Sequence, residues 1–291
     1  MVNAIEINHL SKHYPKKRAV HDISLEIAAG EIFGFIGPNG AGKSTTIKML
    51  LNMIFPTNGE ALIFGMDCVR DSVAIKEMTA YVSSDVRYYE GMTSQDIFNY
   101  VAEFHQISNS SQMIADYLER FEIEPHKKIS ELSLGNKKKI AIVSALIQQP
   151  KLMILDEPTN GLDPMMQHRL FDVLEEKRKQ GMTIFLSSHD LHEIQAHCDR
   201  AAFIKNGEII AVEMINKGSS DGKRVTITSQ TVQVEAITAL GGTLISHEET
   251  TFVFLFTGNL SRLFAYLVQQ DVSDITIHQL ELEDKFLSMY E

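Results

Sequence analysis

The chain has 291 residues, 44% hydrophobic and 22% charged, with a formal net charge of −11. That is the composition of a globular protein long enough to bury a sizeable core, and its acidity argues against general nucleic-acid binding or adhesion to an anionic membrane surface. The two cysteines, Cys68 and Cys198, stand in no metal-ligand spacing and read as free buried thiols of a reducing compartment. The start lacks the basic and apolar regions of a secretion signal, and no window nears the roughly 18 apolar residues of a membrane span. A membrane process would need another chain for its membrane part.

In chain order, Ile5–Leu10 and Ile23–Ile27 alternate apolar and polar residues and read as half-buried strands of a small antiparallel sheet. Tyr14 falls on the intervening loop, where it either stacks on a nucleotide base or packs as an ordinary loop tyrosine. Next comes the apolar run 31–36, then Gly37-Pro38-Asn39-Gly40-Ala41-Gly42-Lys43-Ser44, then Thr45 and a stretch of helical spacing. Strand, glycine-rich turn and helix supply the setting in which G-x-x-x-x-G-K-[ST] forms a phosphate-binding loop. Its N–H groups make an anion nest at a positive helix end, Lys43 adds a charge at the β- and γ-phosphates, and Ser44 offers a hydroxyl to Mg²⁺. The stretch 59–65 reads as a further strand of the small sheet.

From about Asp71 to Gln149 the texture is helical, with capped helices expected over Ser94–Phe104 and Ser111–Phe121. A polar turn at Ile129–Asn136 feeds a helix that opens with Lys137, Lys138 and Lys139, read either as a solvated face or as a second anion site. Leu152–Leu155 is an unbroken apolar run, as in a strand covered on both faces, and it ends in Asp156-Glu157-Pro158. Either acid alone could cap a helix. As a pair beside a phosphate loop, Asp156 suits a Mg²⁺ ligand and Glu157 the general base that polarises the attacking water. A third buried strand, Thr183–Leu186, delivers His189 to the same sheet edge, within reach of a γ-phosphate.

Beyond Ile209–Ala211 and a short helix, the run 218–222 reads as a linker. The remaining pattern is strand (Arg224–Thr228), helix (Val232–Leu240), two strands about the Glu248-Glu249 turn, helix (Leu260–Gln269), strand (Ile275–His278) and a final helix over Glu281–Tyr290.

GPNGAGKST, LSLGN, LMILDEP, NGLD and SSHD, in that order, resemble the ATPase subunit of an ATP-binding cassette (ABC) transporter up to about residue 217. The resemblance implies an α/β fold: a P-loop NTPase core sheet with an antiparallel β subdomain and a helical signature subdomain at about 85–150. A small C-terminal α+β (ferredoxin-like) domain, 223–291, would follow the linker. It also implies that Tyr14 stacks on adenine, and that Gly37, Asn39, Gly40, Ala41, Gly42, Lys43, Ser44 and Thr45 cradle the phosphates of ATP. Ser133 and Gly135 become the signature contacts to the nucleotide of a second nucleotide-binding domain, Asp163 part of a loop crossing that interface, and His189 the switch histidine. Homodimer or heterodimer, the pair would close on ATP–Mg²⁺ and drive a separate integral membrane permease, placing the chain peripherally at the cytoplasmic face of the plasma membrane, with no nucleic-acid partner.

Two departures stand out. Where the family carries a Mg²⁺-sensing glutamine, this chain has Ser84 followed by Asp85, so Ser84 takes the metal-shell place and Asp85 is a substitute. Leu134 and Asn136 stand where Gly and Gln are commoner. Residues near Tyr88-Tyr89 are expected to dock a short cytoplasmic helix of the permease. The ending from Leu280 to Leu287 resembles exporters of the bacitracin-resistance type, implying export of a drug, peptide or lipid. The alternatives are an importer ATPase with a regulatory C-terminal domain, or a soluble ATPase outside transport.

Overall fold

The computed structural model describes residues 3–15, 17–88, 91–215 and 222–279. Two compact units are present, Met1–Ile215 and Asn216–Glu291.

The first unit opens with an antiparallel hairpin of β1 (Asn3–Tyr14) and β2 (Lys17–Ala28). Then β3 (Ile32–Ile36) runs through the glycine turn into α1 (Lys43–Leu50). The strands β4 (Asn58–Ile63) and β5 (Met66–Asp67) complete a four-stranded sheet in the order β2-β1-β4-β5. A short helix, α2 (Ser72–Met78), leads directly into β6 (Thr79–Val82).

Three helices follow: α3 (Ser94–Phe104), α4 (Ser110–Arg120) and α5 (Leu134–Ile147). The start of α3 is set by a capping box in which Thr93 and Asp96 satisfy each other's orphan N–H groups. The chain then runs through β7 (Leu152–Asp156), α6 (Pro164–Lys179), β8 (Thr183–Ser188) and α7 (Leu191–His197). The unit closes with β9 (Arg200–Lys205) and β10 (Glu208–Met214).

The second sheet has the order β10-β9-β3-β8-β7-β6, parallel throughout except for the antiparallel β10–β9 pair. Every residue of β3, β7 and β8 is buried, as expected of parallel strands covered on both faces. One core cluster joins the two sheets around α1. It brings Ile5, Ile7 and Leu25 of the hairpin together with Ile47 and Leu50 of α1, Phe33, Phe35, Ile154 and Phe185. Phe185 packs on Phe33 and Phe35 with ring centroids 6.2 and 5.6 Å apart.

Several sequence expectations are corrected. Tyr14 is the last residue of β1, paired with Lys17, not a loop residue, because the hairpin continues past Leu10 through register shifts. The helical texture from Asp71 is interrupted by β6, a four-residue edge strand. Strand β10 runs through Met214 where a short helix was expected, and β9 was not foreseen. Two of the three lysines after Asn136, Lys138 and Lys139, are buried, so they form neither a solvated face nor an exposed anion site.

The second unit is built from β11 (Lys223–Ser229), α8 (Val234–Ala239), β12 (Gly242–Glu248), β13 (Thr251–Phe256), α9 (Leu260–Leu267) and β14 (Val272–Gln279). Its sheet is antiparallel in the order β12-β13-β11-β14. Val225, Ile227, Phe254 and Phe256 of the sheet pack with Ile237 of α8 and Leu263 of α9. The expected final helix over Glu281–Tyr290, and all of the linker but Gly222, lie outside the described residues.

Phe185 is fully buried at the meeting of the two sheets. Phe185→Ala is expected to lower stability by about 3–5 kcal/mol, read as a fall in the chemical-denaturation midpoint.

Candidate functional site

The carboxyl ends of β3, β7 and β8 meet at one edge of the parallel sheet, the edge at which open α/β sheets bind ligands. The turn after β3 is tightly hemmed in. A Cβ on Gly42, whose φ is +118°, would lie 2.6 Å from the Ala19 carbonyl, so the turn admits no side chain there. It leads into the first turn of α1, where backbone N–H groups have no intrahelical partner and stand ready for an anion. Ala19, Asn39, Gly40, Gly42, Lys43, Ser44, Thr45 and Glu157 line a cavity of about 160 Å³.

Lys43 is buried in this cleft. Its Nζ donates to the Gly37 carbonyl at 2.6 Å and lies 3.3 Å from Glu157 Oε1. The other Glu157 oxygen, Oε2, accepts from Asn160 Nδ2 at 2.5 Å and lies 3.4 Å from His189 Nδ1. Burial pushes the Glu157 carboxyl up, but the Asn160 amide, Lys43 and His189 together outweigh it and hold the group below its ordinary value. Glu157 therefore stands as a carboxylate among Lys43, Asn160 and His189. Its backbone is in the left-handed region with φ +49°, a conformation that glutamate rarely adopts and that costs about 1–3 kcal/mol where it is held. The Glu157 N–H donates to the Ser187 carbonyl at 3.1 Å, one of the bonds that hold it there.

Asp156 is the last residue of β7, buried and paired in register with Ser187 of β8, whose hydroxyl donates to Asp156 Oδ1 at 2.6 Å. Ser187, near the end of β8, and Asn160, in the loop after β7, are carboxylate partners that the sequence does not single out, although they fall in the SSHD and NGLD runs. His189 follows β8 and is half exposed. Behind it, the Ser188 hydroxyl donates to the buried Glu193 of α7. Burial pushes Glu193 up to about 7, with the Ser188 hydrogen bond opposing.

The remaining expected residues fall outside the cleft. Tyr14 is 46% exposed at the end of the hairpin, with Lys12 Nζ 5.4 Å from its ring centroid. Ser133 is exposed and caps α5 by accepting from the Asn136 N–H at 3.3 Å. Gly135 abuts the 160–163 loop so closely that a Cβ there would lie 2.3 Å from the Gly161 carbonyl. Asp163 caps α6 by accepting from the Met166 N–H at 3.0 Å.

Ser84 is exposed, and Asp85 is turned to Arg87 at 3.0 Å on the surface rather than toward the carboxylates. Tyr88 is half-buried, and burial pushes its phenol up. Tyr89 lies outside the described residues.

A family model described as "ABC transporter" matches residues 20–160. The bacitracin transport ATP-binding protein BcrA of Bacillus licheniformis is 30% identical, across 99% of this chain and 98% of its own length. The linearmycin resistance ATP-binding protein LnrL of Bacillus subtilis is 28% identical, across 96% of this chain and 84% of its own. Among solved structures, an ATP binding subunit of an ABC transporter superposes with a TM-score of 0.69 at 29% identity, covering 73% of this chain and 90% of that one.

Glu193 generates a pH expectation. Its folded value of about 7 lies above the ordinary 4.5, so the folded state holds the proton more tightly. The stabilisation is complete below pH 4.5 and is lost as pH rises through 7. Urea melts from pH 5 to 8 should lose on the order of 2–3 kcal/mol in the wild type, and a Glu193→Gln variant should give a flatter profile.

Proposed function

The chain belongs to the ABC transporter ATP-binding proteins and is an ATPase subunit that binds ATP; from that premise we propose that it powers the export of a drug, peptide or lipid through a separate membrane permease. The observation that carries the reading is the Glu157 carboxylate held between Lys43 and His189 at the mouth of the phosphate-binding turn. Lys43 and the α1 N-terminus bind and orient the triphosphate, Tyr14 takes the base, and Glu157 accepts the proton of the attacking water. His189, beside that carboxylate, donates to the terminal phosphate.

The hard oxygen donors Ser44 and Asp156 would hold Mg²⁺, and Ser84 stands at the position of the family's metal-shell residue. The ion, when bound, neutralises charge on the β- and γ-phosphates.

The nucleotide-contacting residues form two groups on one chain. One lines the cleft; the other, Ser133, Gly135 and Asp163, clusters at the α5 and α6 N-termini, outside the cavity lining. A cleft of about 160 Å³ is smaller than the roughly 300–1,000 Å³ of sites that enclose a ligand alone. Both points support a second nucleotide-binding domain completing the site, its Ser133 and Gly135 closing on this cleft. ATP then favours closure because it binds the closed pair better than the open one.

We assign 1–217 to the nucleotide-binding domain and 223–291 to an accessory α+β domain with a ferredoxin-like plait, the β-α-β-β-α-β order being the supporting feature. Export is favoured over import because the BcrA and LnrL matches cover 99% and 96% of this chain and so extend into this second unit. No helix among the described residues is long and apolar enough to cross a membrane, so the permease would hold the subunit at the cytoplasmic face.

Glu157→Gln should bind ATP, hydrolyse it at least about 100-fold more slowly and accumulate as an ATP-bound dimer. Phosphate release gives the rate and size-exclusion chromatography with Mg²⁺–ATP gives the dimer; an unaltered turnover would remove Glu157 from its role.

A further inference from the structure

Lys138 has no place in the mechanism above, yet it is one of the most deeply buried side chains in the molecule, 1% exposed. It projects from α5, the helix that Ser133 caps. Its Nζ donates to the Ser83 carbonyl at 2.9 Å and to the Asp156 carbonyl at 3.4 Å. Those carbonyls are neighbours at the carboxyl end of the sheet, since β6 and β7 run parallel with Val82 opposite Leu155. One ammonium thus bridges the ends of two strands directly behind the paired carboxylates. Lysine suits this task because its three donors can serve two carbonyls from one point, whereas a methionine of similar length can serve neither.

We infer that Lys138 is a positioning residue for the ATPase reaction: by tying the Ser83 and Asp156 carbonyls together it fixes the end of β7, and so sets where Asp156 and Glu157 present their carboxylates to metal and water. The inference rests on the reading of Asp156 as a metal ligand. The same bridge also joins the helix that carries Ser133 to the strand that carries Asp156, so the two groups of nucleotide-contacting residues share one buried anchor.

The test compares full-length Lys138→Met, Lys138→Gln and wild type. The methionine keeps the bulk and removes the donors; the glutamine amide keeps donors and removes the charge. Lys138→Met should lower kcat at least about 10-fold with KM for ATP within about twofold, and Lys138→Gln should recover to within about threefold of wild type. Independently of turnover, Mn²⁺ affinity is measured by electron paramagnetic resonance in the presence of a non-hydrolysable ATP analogue. It should weaken about fivefold or more in Lys138→Met, while metal-free analogue affinity stays unchanged.

A purely structural lysine would lower the melting temperature without moving Mn²⁺ affinity, and that result overturns the inference. So does a Lys138→Gln variant as impaired as Lys138→Met. A wild type that binds the analogue but no Mn²⁺ beside it removes the metal-site reading and this inference with it. A wild type that binds Mn²⁺ normally while Lys138→Met matches it in every measurement removes this inference alone.

Discussion

A negative side chain has to be kept negative next to a place built to receive negative phosphates, and the contact that resolves this is Lys43 against Glu157. At 3.3 Å, with both groups largely withdrawn from water, the attraction is far stronger than it would be on the surface. Burial alone pushes the Glu157 carboxyl up. Lys43, Asn160 and His189 prevent that, and each is delivered by a different element: the start of α1, the loop after β7 and the turn after β8. The parallel order β3-β8-β7 is therefore a condition for the chemistry, since it brings those ends to one edge. The strained backbone of Glu157 belongs to the same account. A left-handed residue directly after a strand turns the chain sharply, and the bonds that the Glu157 N–H donates to the Ser187 carbonyl and hydroxyl hold the strain in place.

The readiness with which the site could be read from the sequence follows from locality. The phosphate turn needs consecutive residues of fixed type, and the buried strands β7 and β8 are short apolar runs that end directly in their functional residues. Lys43, Asp156, Glu157 and His189 could thus be placed without knowing the rest of the fold. What escaped was non-local or marginal. Strand β6 is four residues at a sheet edge, flanked by α2 on one side, and its residues carry no period that distinguishes it from a helix end. Tyr14 was assigned to a loop because the hairpin's register shifts break the alternation on which a strand reading depends. In the sequence Lys138 is one of three like residues in a row, and only the packing of α5 against the ends of β6 and β7 separates it from Lys137.

Charge distribution explains why an acidic chain can bind a polyanion at all. The net charge of −11 is a property of the whole chain, whereas the cleft is furnished with the α1 N-terminus and Lys43, and its acids are committed. Glu157 is paired with Lys43 and Asn160, and Asp156 is hydrogen-bonded by Ser187. Asp163, which would otherwise present a carboxylate near the second group of residues, is engaged at the positive end of α6. Local fields decide binding here, and composition decides only what the outer surface repels.

The α5 N-terminus packs against the loop that follows β7, and this contact has a mechanical consequence. Gly135, in the first turn of the helix capped by Ser133, lies against the Gly161 carbonyl with no room for a side chain. The residue before Gly161 is Asn160, which holds the Glu157 carboxylate, and two residues after it Asp163 anchors α6. A displacement of the α5 N-terminus therefore meets the very loop that orients the Glu157 carboxylate. Close-packed backbone has no slack to absorb such a shift. Glycine is thus required at 135, because only a residue without a Cβ lets the first turn of α5 approach the Gly161 carbonyl.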